Sequence, residues 1–334
     1  YNDPVNLFLN TDKPKNKDFG DFAINISALS KTARMAPAVI AQTIVTYIQQ
    51  ENFSINLVQG FINFKLENKF LNEIILQILS KKKNYLKTNI GNNKKVNIEY
   101  VSANPTGPFH IGHGRWAALG SAVANIMKYC NYDVFQEFYI NDAGNQINKL
   151  AKSLEIRVRQ LKGENIELEE GLYPGEYLID CAKRYLKDNK GLSYGDFAKS
   201  DMIRLQKELL EKFNTHFDLF FSELSLYRDG EVEKTMDALD KAGKIYKKDG
   251  AVWFKSSEYG DDQDRVLVKQ DGKNTYLTAD IAYHKNKLHR GFDLLINIWG
   301  ADHHGYIPRM KAAMEALGYD SNKLEIILGQ LVNL

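Results

Sequence analysis

Residues 96–140 constrain this chain more than any other stretch. Val96, Ile98 and Tyr100 alternate with Asn97 and Glu99, which is the period of a strand. Asn104-Pro105-Thr106-Gly107-Pro108 then breaks the backbone. Beyond His110-Ile111-Gly112-His113 the period changes. Leu119, Ala122/Val123, Ile126 and Cys130 recur at three and four, which predicts a helix with Asn131 as its stop. Residues 134–140 are apolar and aromatic enough to be the next strand. Strand, loop, helix, strand is one βαβ unit, right-handed by default.

Ligands of such a unit sit beyond the carboxyl end of the strand, where the free N–H groups and partial positive charge of the helix start suit a phosphate. Gly107 and Gly112 let backbone come close to a ligand. His110 and His113 are three apart and can face it together from the first turn. A lone histidine is most often structural. A pair flanking a glycine at a strand-to-helix turn points to ligand chemistry instead.

His110-Ile111-Gly112-His113 resembles the HIGH motif of class I aminoacyl-tRNA synthetases. Ser102-Ala103-Asn104-Pro105-Thr106-Gly107-Pro108 before it, and Tyr139-Ile140-Asn141-Asp142-Ala143-Gly144-Asn145-Gln146 after it, resemble the arginyl-tRNA synthetases in particular. GDDQDRVLV, YLTADIAYH and WGADHHGYIPRMKAA resemble the bacterial form of that family, so the likeness runs through nearly the whole chain.

With 334 residues the chain has room for two or three domains. Residues 1–90 read as a small α/β domain. Pro37 opens a helix with Val39/Ile40, Ile44, Tyr47 and Ile48 as its apolar positions. Phe53, Ile55 and Leu57, then Ile62, Phe64 and Leu66, alternate as two strands joined through Gln59-Gly60. Leu71, Ile74/Ile75 and Ile78 mark a second helix. Lys81, Lys82, Lys83, Lys87, Lys94 and Lys95 follow with no acid among them, a solvated linker that could also touch phosphate. In the family this N-terminal domain contacts the tRNA elbow, and the resemblance implies the same here.

Residues 91–161 are expected to form the first half of a nucleotide-binding domain, ending in a helix over residues 141–161. Residues 162–250 read as an inserted, mainly helical, charged region that serves for packing. Residues 251–334 supply the second half. Asp271-Gly272-Lys273 is a turn, residues 276–280 lead into a short helix through Ile281 and Leu288, and 294–299 is a buried parallel strand. A helix over 308–317 and a strand at Leu324, Ile326 and Leu328 close it. Two such halves predict an α/β fold, a doubly wound parallel sheet of the Rossmann-like kind.

A net charge of +2 does not by itself mark a nucleic-acid binder. Cys130 and Cys181 lie far apart and offer neither a disulfide framework nor a zinc site, which suits a reducing, cytoplasmic setting. No run approaches the ~18 apolar residues of a membrane span.

The resemblance implies arginine–tRNA ligase chemistry. Arginine is activated by ATP to arginyl-adenylate with release of pyrophosphate, then passed to tRNA(Arg). It assigns catalysis to His110 and His113. ATP contacts fall to Pro105, Thr106, Gly107, His110, Gly112, His113, Gly300, Asp302 and His303. Arginine contacts fall to Glu99, Ser102, Asn104, His113, Tyr276, Asp280 and Asp302. Mg2+ is expected with ATP, held by its phosphates rather than by a protein metal site, and the chain is expected to be a monomer. No KMSKS-like stretch follows Leu328, so the expectation is a chain that stops short of that loop and of an anticodon-binding domain, and that folds without full charging activity. Three other readings compete: a metalloprotein using His110, His113, His303 and His304, a non-catalytic RNA-binding module, and another HIGH-bearing nucleotidyltransferase. The glycines fit phosphate better than zinc. The last reading leaves the N-terminal domain and residues 276–280 unexplained.

Overall fold

The computed structural model describes residues 11–14, 16–48, 52–330 and 332, the side chain of Asp302 excepted. The chain divides into two compact units, Tyr1–Leu86 and Lys87–Leu334.

In the first unit β1 (Thr11–Asp12), β2 (Phe22–Asn25), β3 (Phe53–Val58) and β4 (Phe61–Leu66) form an antiparallel sheet in the order β1-β2-β4-β3. Gln59 and Gly60 both take positive φ, as the tight turn between β3 and β4 requires. After α1 (Ser30–Ala33), α2 (Pro37–Val45) begins on Pro37 and lays Ile40 and Ala41 against Ile26, Leu29 and Ile62. α3 (Asn68–Lys81) follows. The unit ends at Leu86 rather than 90, because the segment after it is tied to the second unit. Thr88 and Gly91 N–H donate to the carbonyls of Tyr129 and Cys130 at 3.3 and 2.7 Å. The lysines from Lys81 to Lys95 are all exposed.

The second unit is built around β5 (Lys95–Glu99). The chain runs through α4 (Ile111–Tyr129), β6 (Asp133–Ile140), α5 (Asn145–Leu161), α6 (Tyr177–Lys187), α7 (Tyr194–Lys212) and β7 (Leu219–Ser222). It continues through α8 (Glu223–Arg228), α9 (Glu231–Lys241), β8 (Ile245–Lys248), β9 (Ala251–Phe254) and β10 (Arg265–Val268). α10 (Tyr276–His289), β11 (Leu294–Gly300), α11 (Ile307–Ala316) and β12 (Leu324–Gly329) complete it. Among the described residues β12-β11-β5-β6-β7 form one sheet in that order, every pair parallel. The chain leaves β5 on one side and returns on the other, so the topological switch lies between β5 and β11 and opens a crevice at their carboxyl ends. α4 packs close enough that a Cβ on Gly120 would stand 2.2 Å from the Tyr100 ring.

Two expectations change. Residues 162–250 are not one helical insertion: β7 is the edge strand of the main sheet, and β8 pairs antiparallel with β9. The run Phe217 to Phe221 is apolar enough for a strand, and within it Phe220 stacks on Phe138 of β6 while Phe217 meets the same ring edge-on. α10 begins at Tyr276 itself, with Thr275 at its N-cap, so Asp280 is in the second turn. Among the described residues no helix is long and apolar enough to cross a membrane.

Candidate active site

The backbone leaving β5 bends through positive φ at Val101 (67°) and Ser102 (42°), a conformation that costs about 1–3 kcal/mol per residue and needs support from its surroundings. Support comes from the helices of residues 162–218. Tyr177 Oη donates to the Thr106 carbonyl at 2.6 Å, and Gln206 Nε2 donates to the carbonyls of Asn104 and Gly107, both at 3.1 Å. A Cβ on Gly107 would crowd the Tyr177 hydroxyl at 3.3 Å.

α4 starts from this loop with His110 as its N-cap. His110 Nδ1 accepts from the Gly112 N–H at 3.1 Å, and His113 Nδ1 accepts from the His110 N–H at 3.1 Å. The two rings lie 3.8 Å apart between centroids. With each Nδ1 lone pair engaged by an amide, a neutral imidazole carries its proton on Nε2. Burial, then the neighbouring His110, push His113 down to about 4, so it is neutral at pH 7. The helix start therefore presents two Nε2–H donors beside its own dipole.

A cavity of about 500 Å³ opens at the carboxyl ends of β5, β6 and β11. Its floor is a directional hydrogen-bond chain. Lys287 Nζ, fully buried, donates to Glu99 Oε2 at 2.6 Å and Asn297 Oδ1 at 3.1 Å. Asn297 Nδ2 meets His284 Nε2 at 2.7 Å, and His284 Nδ1 reaches the Asp280 carbonyl at 2.7 Å. Burial, then Lys287, push His284 down to about 3, so Nε2 accepts and Nδ1–H donates. Ser102 Oγ donates to Glu99 Oε1 at 3.0 Å and accepts the Tyr139 N–H at 3.1 Å. Below, Glu137 is fully buried and takes both arms of Arg290 at 2.8 and 2.9 Å and the Tyr283 hydroxyl at 2.7 Å. Those donors hold it below the usual carboxylate range against the upward push of burial.

Two further carboxyls stand in the wall. Burial lifts Asp280 to about 6, against the Tyr306 hydroxyl that donates to its Oδ2 at 2.6 Å. Burial lifts Glu223 to about 7, against the hydroxyl of Tyr139. Tyr276, one turn before Asp280, is 75% exposed at the mouth.

Of the residues singled out in the sequence, Glu99, Ser102, Asn104, Tyr276, Asp280, Gly300 and His303 line this cavity. Pro105, Thr106, Gly107, His110, Gly112 and His113 form the loop and helix start beside it, and Trp116, one turn beyond His113, lines the cavity as well. The side chain of Asp302 lies outside the described residues. Among those described, no three His, Cys, Asp or Glu side chains group as metal ligands. Tyr139, Asn141, Glu223, Tyr283, His284, Trp299 and Tyr306 line the cavity without having been anticipated, with Lys287 and Asn297 behind them. Asp280, His284 and Lys287 sit at i, i+4 and i+7, a polar stripe that periodicity alone assigns to solvent and the fold turns inward.

A doubly wound sheet with a capped HIGH pair at its switch point defines the catalytic domain of a class I aminoacyl-tRNA synthetase. The family described as "tRNA synthetases class I (R), catalytic domain" matches residues 74–330, and "Arginyl tRNA synthetase N terminal domain" matches residues 2–66. The chain belongs to the arginyl-tRNA synthetase family. It is 48% identical over 338 residues to arginine–tRNA ligase 1 of Halalkalibacterium halodurans, covering 96% of this chain and 61% of that one. It is 46% identical to arginine–tRNA ligase of Bacillus subtilis, covering 98% and 62%. A Campylobacter jejuni structure described as an arginyl-tRNA synthetase superposes with a TM-score of 0.73 at 44% identity, over 80% of this chain and 61% of that one. The chain thus spans about 61% of the length of the relatives it matches.

Proposed function

We propose that this chain carries the amino-acid activation site of an arginine–tRNA ligase. The observation that carries the reading is the placement of a cavity with an ionisable, partly shielded carboxylate, Asp280, beside a helix start with two aligned imidazole donors. A guanidinium is planar and permanently charged, so it pairs with a carboxylate through two parallel hydrogen bonds. Asp280 is the better placed partner, because Glu99 is already neutralised by Lys287 and serves as a hydrogen-bond acceptor in a preset position. Tyr276, on the same face of α10 one turn earlier, covers the guanidinium plane. Ser102 and Asn104 face the α-amino end.

In the activation step the arginine carboxylate attacks the α-phosphorus of ATP and pyrophosphate leaves. Such chemistry needs alignment and charge stabilisation more than a protein nucleophile. The Nε2–H groups of His110 and His113 and the N–H groups of the α4 start receive the shifting phosphate charge. Pro105, Thr106 and Gly107 shape the loop beneath the nucleotide, and Gly300 and His303 border it across the switch point. The magnesium that accompanies ATP takes its ligands chiefly from the phosphates. The activated arginine passes to the end of tRNA(Arg), and residues 1–86 bind that tRNA at its elbow. The setting is the cytoplasm.

L-Arginine and L-citrulline, titrated calorimetrically into the chain, test the reading, because citrulline keeps the shape and lacks the charge. Arginine is expected to bind and citrulline not. Equal affinities, or an arginine-independent ATP–pyrophosphate exchange with tRNA present, would overturn it.

A further inference from the structure

Asp280 is held by groups that come from β11, α11 and the turn between them. Tyr306 Oη donates to its Oδ2 at 2.6 Å, a length typical of a hydrogen bond to an ionised acceptor. The Arg309 guanidinium lies 4.9 Å from the centre of the Tyr306 ring, and the Trp299 ring packs edge-on against it at 5.9 Å. Arg309 Nε stands 3.8 Å from Oδ2 of Asp261, a buried carboxylate that also takes both arms of Arg265 at 2.8 and 2.9 Å. Asp261 belongs to the GDDQDR stretch and Tyr306 and Arg309 to GYIPR, and the activation step gives these three residues no direct role.

We propose that Tyr306 is a positioning residue for arginine recognition: its hydroxyl keeps the Asp280 carboxylate ionised and aimed into the cavity, and Asp261, through Arg309, keeps Tyr306 in place. The inference rests on Asp280 being the guanidinium partner. A hydrogen bond donated to the charged form of an acid favours that form. A cation over the phenol ring draws on its electrons and makes the hydroxyl a better donor. The other groups facing Asp280 act mostly the other way. Glu99 on β5 and Glu223 on α8 repel its charge, and Tyr139 of β6 and Tyr227 of α8 share its field. On its own helix His284 is neutral, Tyr276 is at the mouth, and the Lys287 ammonium, engaged with Glu99 and Asn297, favours the Asp280 charge only from a distance. Tyr306 is thus the hydroxyl that offsets burial.

L-Arginine is titrated calorimetrically into the parent chain, Tyr306→Phe and Arg309→Met between pH 5.5 and 8.5. A carboxylate binds guanidinium only when ionised, so the parent loses affinity as pH falls through the Asp280 pKa. Tyr306→Phe is expected to move that acid limb upward by about one pH unit. Affinity would then fall by about fivefold at pH 6, by somewhat more at pH 5.5, and change least at pH 8.5. Arg309→Met should move the limb the same way by less, and it carries the test if Tyr306→Phe fails to fold. Arginine binding with an unmoved acid limb in both variants would overturn this inference and leave the proposed function standing. So would a loss of affinity equal at every pH, which would make Tyr306 a direct contact. A parent chain that binds no arginine would overturn the proposed function itself.

Discussion

At the rim of the site, His110 and His113 are three residues apart, partly exposed, and capped by amides of their own turn. At its floor, Glu99 meets a lysine 188 residues further on in a buried pair, and Glu137, fully buried, meets an arginine 153 residues further on that is itself partly exposed. The rim is local chemistry that any helix start with this tetrapeptide can adopt. The floor is a set of charges that exists only when both halves of the sheet have come together. The rim should therefore fail by slowing the reaction, and the floor by losing the fold.

Lys287→Met tests the floor most severely. It leaves Glu99 buried beside Asn297 without its counter-charge, and removing one partner of a buried pair costs about 3–5 kcal/mol. The urea midpoint should drop accordingly. A loss under about 1 kcal/mol would mean that Glu99 finds water and that the contrast is false.

Asp280→Asn lies between rim and floor. Its Oδ1 can still accept from Tyr306, so the melting temperature should hold, while arginine binding weakens by roughly 2–5 kcal/mol. Because α10 begins at Tyr276, Asp280 is not its cap. A falling melting temperature with unchanged arginine affinity would place Asp280 with the floor as a structural group.

His113→Ala removes one donor at the rim. Adenylate formation, read as ATP–pyrophosphate exchange, should slow by about 100-fold or more. The cost to stability should stay within the ~0.5–2 kcal/mol of a helix cap. An unfolded variant would show that the rim carries fold as well as chemistry.

Glu223→Gln gives the smallest effect and carries a sign. Its folded pKa, about 7, lies above that of an exposed glutamate, so the folded chain holds a proton that the unfolded chain releases. Stability from this group is present at acid pH and lost as pH rises through 7. The variant should be about 1–3 kcal/mol more stable than the parent at pH 8 and close to it at pH 4.5. The same difference at both pH values would show that burial in the wall does not raise the Glu223 pKa.

The rim was readable in the sequence because its information is local. Alternation over residues 96–100, a Pro/Gly break and a HIGH tetrapeptide place the strand, the loop and the helix start without help from the rest of the chain. Asp280 and Tyr276 were readable through a family pattern, although their relation to the helix start came from the structure. The floor was not readable. Lys287 and His284 look like the polar stripe of a surface helix, and only the partners Glu99 and Asn297, on strands far away in sequence, explain why they are buried. β7 is hidden for a related reason: four residues within a charged helical stretch carry too little period to announce a strand, and β6 supplies what is missing. Asn97 and Glu99 on a strand buried on both faces were the one local hint that charge would be met from elsewhere.

The separation of Glu99 from Lys287 also sets a clock. A ribosome adding roughly 5–20 residues per second needs about 10–40 s to make the 188 residues between them. For that interval the nascent β5 strand carries a carboxylate whose counter-ion has not been synthesised. The emerging βαβ unit can gather its apolar side chains, but it cannot bury Glu99 in its final place. The candidate pocket therefore cannot set until α10 and β11 have been made, and a translational pause before α10 would prolong the stage at which the half-built sheet is exposed to mispairing.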